Sequence, residues 1–380
     1  MSLLASCTKK ADIGKEQATT FVKYFGGSST DRANDIVACA EGGYAITGSL
    51  TPSGGIPQAF FIRTDQYGNS LTNQPLLLGN GYHSAGNSIY QTSDGGFLVV
   101  GYTIPIGHSD KNILLVKIKP DGTIAWTNTT FGGSNDDEAF SVTEVGYGYI
   151  LIGGYTSSFG NGGKDAWCLL LENNGSEVWD KTYGFSGDEV CYNIIQKNDY
   201  YLLTGYTESY QYASLGRSVF LVKIDKASGN ILDSQYYGGA NNETGVKSIV
   251  DAVGNIYVLG NSVVGGNSNL YLLKLTDNIH QVVWEKYLTS SDSESGDDIE
   301  INNNQLIIVG SSTSDQNSDF LIDHLDANGQ LLNDGANILN AKGNQSAQAC
   351  VIGSDGKIVF VGYNEVSGFY KVALVKTSIP

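Results

Sequence analysis

A turn of the aromatic-Gly-Gly type recurs along the chain at a nearly fixed interval, and this constrains the fold more tightly than any local composition. Aligned on that turn, Phe25, Leu78, Phe131, Tyr183, Tyr237, Thr289 and Ala341 fall 52 to 54 residues apart. Each turn opens the same series: a polar run, an apolar stretch ending in Gly-Tyr-Thr or a variant, then a second apolar stretch ending in Asp or Asn and Gly. Seven copies of one supersecondary unit follow each other, so the chain builds an array of repeats.

The third copy reads as four short strands, at residues 139–144, 149–155, 165–171 and 175–182. Val, Ile, Leu, Tyr and Phe fill them, and Gly, Asn, Asp and Ser bound them with the positive φ and local hydrogen bonds that tight turns need. Four strands of about six residues plus turns match one blade of a β-propeller. The expected fold is therefore all-β: a seven-bladed β-propeller of four-stranded antiparallel blades. In the seventh copy the third strand, residues 371–376, is followed by only a few residues, whereas residues 19–25 form an unpaired strand ahead of the first turn. The N-terminal strand would complete the last blade, closing the ring and removing an exposed sheet edge. We read residues 1–18 as a truncated signal remnant and tether, and 19–380 as one propeller domain.

The 48 glycines against six prolines suit a chain of many tight turns. A formal charge of −17, with only 22 dispersed basic residues, argues against nucleic acid, which needs clustered Lys and Arg. No stretch approaches the roughly twenty apolar residues that span a bilayer. Leu4-Ala5-Ser6-Cys7 fits a bacterial lipobox, with a polar tether from residue 8 to 17 behind it. This predicts lipidation at Cys7, a membrane held by lipid only, and a periplasmic or cell-surface location. Cys39, Cys168, Cys191 and Cys350 lie in predicted strands of different blades, which marks them as buried thiols without a disulfide or zinc pattern.

The repeat resembles the seven-bladed propeller-repeat families of secreted and lipid-anchored bacterial proteins. Trp126, Phe131-Gly132-Gly133, Asp137, Gly153-Gly154-Tyr155-Thr156 and Asp165 carry the pattern, as do Asp94-Gly95-Gly96-Phe97, Gly101-Tyr102-Thr103 and Lys117. Copies five to seven depart from it: Gly260-Asn261-Ser262 and Gly310-Ser311-Ser312 replace Gly-Tyr-Thr. The resemblance implies fold and location, and little about activity, since propellers host unrelated functions.

Loops entering the first strand of each blade, and loops joining second to third strands, open on one face. The first set carries a polar column of Asp31, Ser84, Asp137, Glu189, Thr244, Glu294 and Ser346; the second carries Gln58, Asn112, Asp165, Ser218, Asn269 and Asp319. An acidic ring of this kind would bind calcium or a basic partner. The simpler role is turn capping by side chains bonded to nearby backbone N–H groups. The inner strands align Asp35, Ser88, Ser141, Asn193, Ser248, Asp298 and Cys350 toward the central channel, with no basic partner in register.

A binding site should break the repeat, because a ligand touches blades unequally. The loop of residues 207–218 in blade four is the longest of its set and offers Tyr210, Tyr212 and Arg217; Phe159, Phe369 and Tyr370 join them from loops of blades three and seven. Exposed aromatics beside polar groups suit stacking on sugar rings or anchoring a protein. His83, His108 and Asp110 in blade two offer a weaker metal set. No nucleophile elbow, phosphate loop or His-Glu-x-x-His motif occurs. The leading expectation is a monomeric, non-enzymatic envelope protein binding a carbohydrate or an envelope protein through this face, without cofactor. The alternatives are a carbohydrate-active enzyme, lyase or hydrolase, using Asp35, Asp298 or Arg217 at the channel mouth, and a scaffold of an envelope assembly.

Overall fold

A computed structural model describes residues 20–27, 29–146, 148–209, 216–314, 317–332 and 343–379. They form seven antiparallel sheets arranged as a ring of blades, with no helix among them. The inner strands are Arg32–Ala38, His83–Gln91, Asp137–Val145, Glu189–Gln196, Thr244–Val250, Ser293–Asn302 and Gln345–Ile352. Six blades have four strands; the sixth has three among the described residues, and residues 333–342 fall outside them. The ring closes as expected: Phe21–Phe25 pairs antiparallel with Phe369–Thr377, Phe21 opposite Lys376 and Phe25 opposite Val372.

The core is divided among the blade interfaces. Seven apolar clusters lie one between each adjacent pair of blades, including the pair formed by the seventh and the first. Alternating strand residues reach the two faces of each blade, so every blade buries apolar side chains on both sides. Outer-strand aromatics add a second lock, since Phe21, Trp126, Trp179 and Trp284 pack on Gly68, Gly175, Gly229 and Gly329 of the next blade's outer hairpin. Cys39, Cys168, Cys191 and Cys350 are buried free thiols.

The Gly of the Gly-Tyr-Thr repeat has a steric cause. Each inner strand carries a β-bulge, at Asn34, Asn87, Phe140, Tyr192, Val246, Asp297 and Gln348. The extra residue drives an inner-strand carbonyl against the second strand. A Cβ at Gly48, Gly101, Gly154, Gly205, Gly260, Gly310 or Gly362 would lie 1.7 to 2.4 Å from that oxygen. All seven blades keep this glycine even where Tyr and Thr are lost.

The polar column at the start of the inner strands caps turns. Gly27, Gly133, Phe185 and Gly239 each donate a backbone N–H, at 2.8 to 2.9 Å, to the carboxylate of Asp31, Asp137, Glu189 and Glu243. Glu243, fully buried, corrects Thr244 as the cap; buried Gln345 takes the column position expected of Ser346, but its side chain makes no hydrogen bond among the described residues. In blades five and seven, Ser248 and Cys350 occupy the buried slot filled elsewhere by Ile or Val, so alignment on the nearest aliphatic slips by one residue.

Candidate functional site

The same slip hid the basic group of the channel. The position after the bulge is occupied by Asp35, Ser88, Ser141, Asn193, Lys247, Asp298 and Ala349; Lys247 replaces Ser248, and Ala349 replaces Cys350. Lys247 Nζ pairs with Asp298 Oδ1, and lies 3.5 Å from Glu300 Oε1. The expected absence of a basic partner in register is thereby corrected.

This ring of side chains ties the blades together. Asp35 accepts the N–H of Ile36 and, across the interface, that of Ile89 in blade two, both at 2.8 Å. Asp298 accepts Ile299 N–H at 2.7 Å and Cys350 N–H of blade seven at 2.8 Å. Ser141 accepts from Ile194 at 3.2 Å, and Asn193 from Ser248 at 3.1 Å. An exposed edge strand would leave such N–H groups to water; here the neighbouring blade's side chain satisfies them. Burial raises Asp35 to about 6. It also works against the Lys247 ammonium, but the Asp298 and Glu300 carboxylates outweigh it and hold that pKa above the ordinary lysine value.

The bulge residues line a different ring, at the mouth of a cavity of about 190 Å³. Phe140, Tyr192 and Val246 form one arc of its wall; Asp297, Gln348, Asn34 and Asn87 form the other. Phe140 and Tyr192 lie 5.0 Å apart, centroid to centroid, and pack with Tyr155 and Tyr206. Together with Val190 these make an eighth apolar cluster, outside the seven interfaces. Across the cavity, Asn34 Nδ2 donates to Gly86 O at 2.9 Å and Asn87 Nδ2 to Ala139 O at 2.9 Å. The oxygens of Asn34 and Gln348 accept no hydrogen bond among the described residues. Among the described residues Asp297 is held only by long contacts, 3.5 Å from Ser295 Oγ and 3.4 Å from Gln348 Nε2. Burial, reinforced by the Asp298 carboxylate, pushes Asp297 up to about 8.

None of the described ligand-binding or metal candidates singled out from sequence lines this cavity. Tyr210 and Tyr212 lie outside the described residues, as does Cys7. Arg217 stacks over Tyr206 at 4.3 Å and pairs with Glu208 at 2.8 Å. Phe159 is 48% exposed and leans on Trp167 at 5.7 Å. Phe369 and Tyr370, expected in a loop, open the third strand of blade seven, because Ser367 and Gly368, both at positive φ, make a two-residue hairpin turn. Tyr370 stands edge-on to Tyr363, and Arg32 lies over both rings at 4.5 and 5.1 Å. His83, expected in a loop, begins the inner strand of blade two and meets Tyr102 edge-on, while His108 and Asp110 remain in a loop. Among the described residues no group of three or more His, Cys, Asp or Glu is arranged to hold a metal ion.

Sequence reading missed Asn34, Phe140, Tyr192, Asp297 and Gln348. The available signal was divergence: at the bulge the seven repeats place Asn, Asn, Phe, Tyr, Val, Asp and Gln.

No family model matches the chain, and no curated protein matches it in sequence. Solved structures match its fold. An ulvan lyase, from a new family of polysaccharide lyase, superposes with a TM-score of 0.62 at 10% identity, covering 93% of this chain and 95% of its own. The β-propeller domain of the Trilobed protease from Pyrococcus furiosus gives 0.53 at 7% identity, covering 93% and 97%. The chain is a seven-bladed β-propeller. A lyase and a protease domain share the architecture, so the ring alone favours neither binding nor catalysis.

Proposed function

We propose that the protein binds carbohydrate at the channel mouth, taking one sugar ring between the aromatic arc of Phe140 and Tyr192 and the polar arc of Asn34, Gln348 and Asp297. The observation that carries this reading is the division of the bulge ring into those two arcs. A pyranose presents C–H groups on its faces, which pack on aromatic rings, and hydroxyl donors around its rim, which need acceptors. The volume is below the roughly 300–1,000 Å³ of pockets for drug-sized ligands, which suits a single ring or chain end. With Cys7 lipidated and the segment up to residue 18 as a tether, the domain would present this mouth at the cell envelope. The ring is shared with an ulvan lyase, so a saccharide ligand is compatible with it.

Isothermal titration against a panel of neutral and uronic monosaccharides and disaccharides tests the reading. Binding by the wild type, and its loss in Phe140→Ala/Tyr192→Ala with the melting transition retained, is the expected result. Affinity unchanged in that double variant would overturn it.

One observation favours a second, enzymatic reading. Asp297 lines the cavity and meets protein only through long contacts among the described residues, and burial with the Asp298 carboxylate raises its pKa to about 8, which suits a general acid. Asp35 and Asp298 engage both oxygens with backbone N–H groups, which leaves Asp297 as the candidate donor. Release of new reducing ends or unsaturated products from a bound oligosaccharide, abolished in Asp297→Asn, would establish catalysis; intact oligosaccharide after prolonged incubation would remove it.

A further inference from the structure

We infer that the opposite face carries a second carbohydrate site, in the crevice between blades two and three, which takes a neutral sugar against Trp126. The crevice has a volume of about 550 Å³ and lies among the turns where strands leave the channel mouth behind. Blade two supplies Asp94, Lys117, Lys119 and Trp126; blade three supplies Glu144 and Asn173.

The floor of the crevice is fixed before any ligand arrives. Glu144 accepts the N–H of Ser93 at 2.6 Å and its hydroxyl at 2.9 Å, bolting blade three to blade two. Lys117 Nζ is held by Thr92 Oγ1 and, at 2.9 Å, by Asp94 Oδ1. Trp126 is braced from below, with ring atoms 3.3 to 3.7 Å from the position a Cβ would take on Gly175. Such support is what a binding wall requires, since little ordering entropy is left to lose.

Other groups are uncommitted. The indole N–H of Trp126 and the side chains of Lys119 and Asn173 make no hydrogen bond among the described residues. The indoles of Trp167 and Trp284, by contrast, donate to Asp180 and Ala327, while that of Trp179 is buried without a partner among the described residues. Two carboxylates face two ammonium groups, so the lining is balanced in charge within a chain of net −17. A neutral ligand with many hydroxyls fits such a lining better than an anion or a cation.

The construction occurs twice. Between blades seven and one a crevice of about 470 Å³ places Phe21, Lys376, Asp355, Gln66 and Tyr67 at the positions of Trp126, Lys117, Asp94, Asn173 and Asn174. Lys376 pairs with Asp355 at 3.0 Å, as Lys117 does with Asp94. There a phenyl ring, with no N–H, stands where the indole does, so the crevice at Trp126 is the better equipped of the two.

Intrinsic tryptophan emission follows this site through Trp126, one of four tryptophans in the chain, and the variants assign the signal. Cellobiose, xylobiose, mannobiose and maltose are titrated into the whole protein, its Lys119→Ala/Asn173→Ala variant, and the Phe140→Ala/Tyr192→Ala variant of the channel mouth. At least one disaccharide is expected to give a saturable change that weakens about tenfold or more in the crevice variant, the loss of roughly one hydrogen bond. The channel-mouth variant should keep it, which separates this site from the one proposed above. Lys119 and Asn173 are exposed side chains that make no hydrogen bond among the described residues, so their removal is expected to leave folding intact; a far-ultraviolet spectrum and melting curve check this. Absence of any saturable change, or a change equally strong in the crevice variant, would overturn the proposal.

Discussion

The ring of side chains at the bulge and the ring one residue further along the inner strands line the same channel, yet they differ in what each blade needs from them. After the bulge, Asp35, Ser141, Asn193 and Asp298 reach across an interface to a backbone N–H of the next blade, and Lys247 neutralises Asp298. At the bulge itself, Asn34 and Asn87 also bond across an interface, but among the described residues the side chains of Phe140, Tyr192, Val246 and Asp297 bond to no neighbouring inner-strand backbone group. The bulge backbone is fixed by register and by the opposing glycine, so its side chains are free to diverge. A repeat protein can place an asymmetric site wherever the main chain already meets the structural demand.

The sharpest way to break this arrangement is to remove a glycine that permits the bulge. In Gly205→Ala the new methyl would stand 1.7 Å from Val190 O, a backbone atom that cannot yield without moving the inner strand of blade four. We expect a loss of more than about 3 kcal/mol, or failure to fold, measured by urea denaturation and soluble yield. A stable, fully folded variant would show that the bulge is not what the glycine protects.

Next in size is the cation of the tying ring. Lys247→Met leaves Asp298 buried with no counter-charge, beside Glu300. Breaking a buried pair costs about 3–5 kcal/mol, and the partial exposure of Lys247 places the expected loss near the lower figure. The triple change Lys247→Met/Asp298→Asn/Glu300→Gln should recover most of it. Loss without recovery would mean that Lys247 acts through packing and not through charge.

The bulge ring should respond differently. Phe140→Ser and Tyr192→Ser, each truncating a half-buried ring, are expected to cost under about 2 kcal/mol apiece while abolishing saccharide binding. Melting curves and calorimetry on the same samples separate the two effects. A destabilisation as large as that of Lys247→Met would place these rings with the structural set.

The fold was legible because its causes are periodic. Turn glycines, strand alternation and the aromatic-Gly-Gly turns recur every blade, and the orphan first strand announced closure. The turn-cap column was legible at Asp31, Asp137 and Glu189 for the same reason. It slipped at Glu243 and Gln345 because the alignment relied on an aliphatic residue, and in blades five and seven Ser248 and Cys350 take that buried slot. The site was less legible. Loop length drew attention to Arg217, whose charge is paired with Glu208 and whose face lies on Tyr206. The divergent bulge positions went unread, because a one-residue bulge is a backbone event with no mark of its own in the sequence, beyond variation in a column expected to be uniform.

The smallest expected effect isolates one bulge residue by pH. An unfolded chain releases the Asp297 proton near the ordinary aspartate value of about 3.9, whereas the fold retains it to about 8 because burial and the Asp298 carboxylate oppose ionisation. Between those values the folded state binds more protons than the unfolded one, so this group lowers the unfolding free energy as pH rises. Asp297→Asn removes that slope. The charges around it, Asp298, Lys247, Asp35 and Glu300, are present in both proteins and largely cancel in the difference. The variant should melt close to the wild type near pH 4 and above it by roughly 2 °C or more near pH 8. A flat difference would mean that Asp297 ionises freely in the open mouth, which would also remove the protonated carboxyl on which the enzymatic reading depends and leave a purely acceptor role for it in sugar binding.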